Sequence, residues 1–203
     1  MLVIDTKLTP PDAETLAREA SAGNEVWHVP ALQYRPTGIR LDLSGCDAAF
    51  LGSPRAVELA KDVLKDFSGV IFTAGKKTAQ CLLQKGIPVA AAGSENGAGK
   101  DFPQFLKIRN VQKVAWISAA QTAADLSQIA KENSIEIQHF PIYETSPAPV
   151  DEEKLRSLSH PVGWNFYSGK AVLALKRFIQ KEDVVRLFGA SAEAAFKSVE
   201  LSR

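Results

Sequence analysis

Phe140-Pro141-Ile142-Tyr143-Glu144-Thr145-Ser146-Pro147 is the stretch on which the reading of this chain turns. It follows an apolar, strand-like run and carries a proline near each end. Proline has no donor N–H and disfavours helical backbone in the residue before it, so the octet is expected to be extended. A fainter copy stands 111 positions earlier: Glu25-Val26-Trp27-His28-Val29-Pro30 and Glu136-Ile137-Gln138-His139-Phe140-Pro141 share the pattern E-apolar-x-H-apolar-P. Both copies follow a helix-like segment and lead into a polar linker. They read as twin strands crossing between two lobes, with Tyr143 at the mouth of the cleft.

Working outward, short apolar runs alternate with amphipathic segments of ten to fifteen residues, the pattern of an α/β protein with parallel sheets. Strands are expected at 2–4, 26–29, 48–51, 69–73, 88–92, 114–118, 135–140, 163–167 and 184–188. Helices are expected at about 10–22, 54–66, 76–85, 102–108, 122–133, 151–158, 170–180 and 192–199, the first with a proline near its first position. Tyr34-Arg35-Pro36-Thr37-Gly38 is turn-rich and reads as a linker, and Gly93–Asp101 as a glycine-rich loop.

The chain also repeats. Ser53-Pro54-Arg55-Ala56-Val57 recurs as Ser168-Gly169-Lys170-Ala171-Val172, each after an apolar strand and each opening a helix. A second strand and a glycine follow both copies, at Gly75-Lys76-Lys77-Thr78 and at Gly189-Ala190-Ser191. The halves are roughly 1–112 and 113–203. Either each half is a domain, or the middle forms one domain and the two ends join as the other. Matching strand signatures in the two long connections fit the second arrangement better: a discontinuous first lobe of 1–33 plus 146–203, a second lobe of 38–141, and linkers 34–37 and 142–145.

Bulk properties remove several function classes. A chain of 203 residues that is 45% hydrophobic can bury one large core or two of roughly 100 residues each. A net charge of +1 leaves no global basic field for nucleic acid. No apolar run approaches the ~18 residues of a membrane span, and the opening M-L-V-I-D-T-K meets an acid too early for a signal peptide. A cytoplasmic protein is expected, with Cys46 and Cys81 reduced and buried. Gly97-Ala98-Gly99-Lys100-Asp101 lacks the Ser/Thr of a phosphate loop, and no G-x-G-x-x-G occurs. His28, His139 and His160 lack metal-ligand spacing, and His28 and His139 read as structural strand residues. No nucleophile elbow or Cys/His pairing is present, and Trp27, Trp116 and Trp164 read as core.

What remains is anion binding. A strand that ends in Ser and runs into a helix presents a hydroxyl and unpaired N–H groups, and ligands of open α/β sheets lie at the carboxyl ends of the strands. Four such ends occur, at Ser53, at Gly75–Thr78, at Ser168–Gly169 and at Gly189–Ser191. Arg55, Lys76, Lys77 and Lys170 add positive charge. Taken singly, Ser53, Thr78, Ser168 and Ser191 are ordinary helix caps; their recurrence at matching places favours a ligand. Tyr143 is either a packed strand tyrosine or a neutral donor to a leaving oxygen.

With these residues in hand, the chain resembles the uroporphyrinogen-III synthase family. The likeness rests on A-F-L-G-S-P-R-A-V (Ala49–Val57), F-T-A-G-K-K-T-A (Phe72–Ala79) with K-G-I-P (Lys85–Pro88), F-P-I-Y-E-T (Phe140–Thr145) and F-Y-S-G-K-A-V (Phe166–Val172). The resemblance implies two flavodoxin-like lobes joined by a two-stranded β ladder, and a cofactor-free, metal-free lyase that closes linear hydroxymethylbilane to uroporphyrinogen III with loss of water and inversion of ring D. It further implies that Tyr143 assists the leaving hydroxyl. Ser53, Gly75, Lys76, Thr78, Ser168 and Gly169 would bind substrate carboxylates, with Arg55, Lys170, Gly189 and Ser191 beside them. The partner is then a linear tetrapyrrole polycarboxylate, with no nucleic acid or membrane, and the protein a monomer. The chain departs from the family pattern at Thr6-Lys7, where Arg-Pro is usual, and at Ala119-Ala120-Gln121. Its last glycine motif is one residue short, and it stops before the customary final strand and helix. These departures mark a divergent member and leave a second reading, a non-catalytic two-lobed binder of a tetrapyrrole or other polycarboxylate.

Overall fold

The structure, a computed structural model, describes residues 1–94, 101–107, 111–122 and 125–200. In chain order its elements are β1 (Leu2–Asp5), α1 (Ala13–Ser21), β2 (Glu25–His28), β3 (Leu32–Pro36), β4 (Ala48–Leu51), α2 (Pro54–Lys65), β5 (Val70–Thr73), α3 (Lys76–Gln84) and β6 (Ala91–Ala92). There follow α4 (Phe102–Lys107), β7 (Lys113–Ala119), α5 (Leu126–Glu132), β8 (Glu136–Pro147), α6 (Glu152–Arg156), β9 (Gly163–Phe166), α7 (Gly169–Leu175), β10 (Val184–Leu187) and α8 (Ala190–Glu200). The chain divides into two compact units: unit 1 is Met1–Gln33 with Ser146–Arg203, and unit 2 is Tyr34–Thr145.

Unit 2 is built on parallel pairs in the order β8-β7-β4-β5-β6. Its central strand β4 is buried at every residue, the mark of a parallel strand covered on both faces. Ala49 and Leu51 join α2 and α3 through Ala56, Val57, Ala60, Leu64 and Leu82. Ala48 and Phe50 point the other way, among Phe102, Phe105, Leu126 and Ala130 of α4 and α5. The period of two along the strand thus sorts one apolar run into two helix-facing cores. Unit 1 is a smaller parallel sheet, β10-β9-β1-β2, with Ile4, Trp164, Phe166, Val172, Leu175 and Phe178 at its centre.

The two sheets share one spatial order, β2-β1-β9-β10 in unit 1 and β8-β7-β4-β5 in unit 2. The E-apolar-x-H repeat marks corresponding strands in corresponding registers: Glu25 and His28 lie opposite Leu2 and Asp5, and Glu136 and His139 opposite Lys113 and Trp116. Each half of the sequence therefore gives one strand pair to each unit.

Several expectations are corrected. The copy at Glu25–Pro30 does not cross between units; its strand, β2, pairs in parallel with β1 at the edge of the unit 1 sheet. The strands that run from one unit into the other are β3 and β8. They pair with each other, and bonds from Thr37 N to Ile142 O and from Ala148 N to Ala31 O, both 3.0 Å, set an antiparallel sense. Tyr34–Pro36, expected as part of a turn-rich linker, is accordingly strand: Pro36 and Gly38 (φ +77°) mark where it ends. Residues 142–145, expected as the second linker, are continuous strand within β8.

Helix α1 starts later than its prolines suggest, because Asp12 is the cap and accepts Thr15 N at 2.8 Å. The strand expected at 88–92 is paired only at Ala91–Ala92. The helix expected at 122–133 starts at Leu126, with residues 123–124 outside the described residues. The one expected at 170–180 yields to a 3-10 turn at Lys176–Phe178. Residues 95–100, which hold most of the glycine-rich loop, also lie outside the described residues. Cys46 and Cys81 are free but only half-buried. Trp116 and Trp164 are core, whereas Trp27 is half-buried under the Lys154 ammonium, 4.1 Å from its ring.

Candidate functional site

The candidate residues sit where strands hand over to helices. In unit 2, β4 meets α2 at Ser53, which is extended (φ −161°, ψ 157°) and accepts Ala56 N on its Oγ at 3.2 Å. Pro54 follows at the first helical position, where a missing N–H costs nothing. The hydroxyl of Tyr143 lies 2.8 Å from the same Oγ. Tyr143 reaches that point from β8. A register shift at Ser118/Ala119 re-aims the pairing, and Tyr143 O accepts Ala120 N at 2.7 Å. Its ring belongs to the same core as Ala56 and Val57 and keeps only 9% of its surface exposed.

The adjacent junction, β5 to α3, turns at Gly75, and no side chain caps the helix there. Among the described residues, the opening N–H groups of α3 thus have no side-chain cap. Lys76 is exposed beside them, while Thr78 is buried in the first turn. Arg55 is not a loose cation: its guanidinium stacks 3.7 Å from the centroid of Tyr34.

In unit 1, Ser168 repeats Ser53 almost degree for degree (φ −159°, ψ 155°), with Ala171 N donating to its Oγ at 3.2 Å. Gly169 replaces Pro54 for a steric reason: a Cβ there would stand 2.6 Å from Ser191 O. Gly169 N donates to Ser191 Oγ at 3.4 Å, and Gly189 turns the chain into α8 at φ +104°. Ser168, Gly169, Gly189 and Ser191 therefore converge, with Lys170 exposed next to them.

One group went unnoticed in the sequence. At the carboxyl ends of β1, β9 and β10, the Tyr167 hydroxyl donates to the buried Asp5 carboxylate at 2.8 Å. Burial and then that acceptor push the phenol well above its ordinary range. Phe188 stacks on the Tyr167 ring at 4.7 Å, and the Lys7 ammonium lies 4.8 Å from it. Nearby, the buried Asn165 has, among the described residues, no hydrogen-bond partner for its side-chain amide. Polar residues alternating along β9 were the available signal.

The histidines are structural in their contacts. His28 Nε2 lies 2.9 Å from Lys7 O. His139 stacks on Trp116 at 4.1 Å with Nε2 2.8 Å from Ser118 Oγ, and burial holds its pKa below the usual value. Among the described residues there is no cluster of three potential metal ligands and no helix long and apolar enough to cross a membrane. A cavity of about 330 Å³ lined by Cys46, Asp47, Ser68, Gly69, Val70 and Val111 lies at the amino ends of unit 2's strands, away from every junction above.

A family model described as uroporphyrinogen-III synthase HemD matches residues 14–196. The chain belongs to the uroporphyrinogen-III synthase family. The family's activity is that of a cofactor-independent lyase of porphyrin and heme biosynthesis, acting on a tetrapyrrole.

Solved uroporphyrinogen-III synthases share the fold. The Helicobacter pylori enzyme aligns at a TM-score of 0.70 with 14% identity, over 99% of this chain and 89% of that one. A mutant enzyme from the extremely thermophilic bacterium Thermus thermophilus aligns at 0.62 with 14% identity, over 97% and 88%. No curated protein sequence matches. Within this synthase, residues that depart from the family pattern have definite contacts. Thr6 Oγ1 donates to Asn165 O at 2.7 Å, Lys7 covers Tyr167, and Ala120 N holds Tyr143 O.

Proposed function

We propose that the strand-to-helix junctions bind acetate and propionate carboxylates of linear hydroxymethylbilane, and that Tyr143 assists departure of its terminal hydroxyl. The observation that carries this reading is the doubled cap, one backbone conformation at Ser53 and at Ser168, each at the carboxyl end of the corresponding strand. The uncapped start of α3 at Gly75 adds N–H donors, and Lys76 and Lys170 add positive charge. Thr78, Gly169, Gly189 and Ser191 shape these turns, and Arg55 supports the rim from its seat on Tyr34.

The chemistry asks little else of the protein. A pyrrole nitrogen of the substrate pushes out the hydroxyl, Tyr143 supplies its proton, and water leaves. The resulting electrophilic methylene attacks ring D, whose inversion through a spiro intermediate precedes closure, and the proton lost on closure restores the donor. The protein's contribution is to hold a flexible chain folded while this happens. Residues 1–33 with 146–203 and residues 38–141 act as two lobes, and the chain works as a cytoplasmic monomer.

A coupled assay with freshly made hydroxymethylbilane tests the proposal. Type III product at a rate above spontaneous closure is the expected result. Accumulation of the type I isomer alone would leave a binder of linear tetrapyrroles instead.

A further inference from the structure

We infer that the side chain of Ser53 is a positioning residue for catalysis, which points the Tyr143 proton toward the substrate, and not merely the cap of α2. The inference rests on the role of Tyr143 proposed above and adds a second residue to it.

The argument is a count of donors and lone pairs. A serine hydroxyl has one proton and two acceptor sites. One acceptor site of Ser53 Oγ is taken by Ala56 N at 3.2 Å, which also locks its rotamer. The Tyr143 hydroxyl lies 2.8 Å away, so a single proton bridges the two oxygens. If Tyr143 donated, its only proton would be spent on Ser53 and none would face a substrate. If Ser53 donates, Tyr143 accepts, and its own O–H is free to turn outward. The N–H of Ala56 favours the second arrangement: a bond accepted by an oxygen polarises its O–H and makes it a better donor.

Both partners are held from behind. Ser53 is fixed by its extended backbone and by Pro54. Tyr143 is fixed by the bond from Ala120 N and by a ring sunk in the α2 core. The pair therefore has little freedom except for its protons. In the reaction the C–O bond of the hydroxymethyl group breaks as Tyr143 gives up its proton, water departs, and the cationic pyrrole stays bound. The tyrosine oxygen keeps the electron pair of its O–H bond while Ser53 O–H donates to it. Closure of the macrocycle expels a proton from a pyrrole carbon, which returns to Tyr143.

Five full-length variants assayed with hydroxymethylbilane test this. Ser53→Ala is expected to lower kcat by about tenfold, the worth of one ordinary hydrogen bond, with a smaller change in KM. Ser53→Asp caps α2 as well as serine does, so its melting temperature should hold. It offers acceptors only, so Tyr143 must donate inward and kcat should fall as in Ser53→Ala. Ser53→Thr keeps the hydroxyl and should recover most of the rate lost in Ser53→Ala. In a Tyr143→Phe background, Ser53→Ala should have no further effect on kcat, because the two residues act as one unit. If Tyr143→Phe slows turnover but Ser53→Ala multiplies with it, Ser53 acts only as a cap and the inference is overturned. Recovery of full kcat in Ser53→Asp would overturn it as well. If Tyr143→Phe leaves kcat unchanged, the earlier assignment of Tyr143 is what fails.

Discussion

Ser53 and Ser168 hold one backbone conformation in two different surroundings. Both are extended, both accept the N–H of the residue three positions on, and both end the third strand of a sheet with the same order. Around Ser53 the next helix begins with proline and the hydroxyl meets Tyr143. Around Ser168 the helix begins with glycine, because Ser191 O crowds the site, and the residue 111 positions before Tyr143 is Leu32. A leucine packs but cannot donate. The comparison teaches that repetition preserved the strand-to-helix turn while, among the described residues, a tyrosine hydroxyl meets the capping serine at Ser53 and not at Ser168.

The largest effect expected on either unit concerns stability. In unit 1 the turn before β10 converges on Asp183, whose wholly buried side chain accepts Val162 N, Gln180 N and Trp164 Nε1 at 2.8–2.9 Å with His160 Nδ1 at 2.6 Å. Burial alone would raise its pKa, but these four donors outweigh it and hold the carboxylate below its ordinary range. Asp183→Ala leaves the donors unpaired and should cost roughly 3–5 kcal/mol in urea unfolding. In unit 2 the aspartate of the turn before β4 is Asp47, exposed and, among the described residues, accepting Gln112 N and Lys113 N, so Asp47→Ala should shift the midpoint much less. Equal shifts would mean that burial does not separate the two turns.

On activity the contrast runs the other way. Tyr143→Phe should lower kcat by at least about tenfold, yet fall short of the ~10²–10⁴ of a full general acid, since the substrate nitrogen drives departure. Leu32→Ala removes packing without removing a donor, and should lower the melting temperature while kcat stays within about twofold of wild type. A Leu32 variant as slow as Tyr143→Phe would erase the chemical difference between the two copies. Ser168→Ala should cost about 1 kcal/mol, the ordinary worth of a cap, and act on KM before kcat. Ser53→Ala should cost the same in stability but act on kcat.

Much of this was legible in the residues. The βα alternation, the parallel sheets and the family likeness all follow from apolar runs and from short motifs at matching spacing. Helix starts at Pro54 and Lys76 stand where the cap and glycine signals put them. Pairing partners were less legible. Glu25–His28 looks like a crossing strand because its motif matches Glu136–His139, yet the motif encodes a register against the neighbouring strand, and that is all the two copies share. Tyr34–Pro36 looks like a linker because proline and polar residues are turn signals, although an edge strand tolerates both. The contact of Ser53 with Tyr143 joins residues 90 positions apart and leaves no local trace. The same holds for Asp5 and Tyr167, which meet only because β1 and β9 are neighbours.

The smallest effect separates the units by pH. His139 is half-buried against Trp116, and its pKa is lowered chiefly by burial. Above the ordinary histidine value of 6.5 the ring is neutral folded or unfolded, and its contribution is fully present. As pH falls below that value the unfolded chain takes up a proton that the folded ring resists, so stability drains from unit 2 first. Asp183 in unit 1 is lowered from 3.8, and its contribution is lost only as pH drops below that range. Between these limits, of the two groups, His139 alone should weaken the protein. Since water screens a half-buried ring, the loss should be about a few tenths of a kcal/mol. Urea midpoints at pH 7 and at about pH 5.5, one unit under the free histidine range, should therefore differ slightly in the wild type and not in His139→Gln, whose amide can still meet Ser118 but does not titrate. A slope that survives His139→Gln would assign the sensitivity to another group and remove the pH contrast between the units.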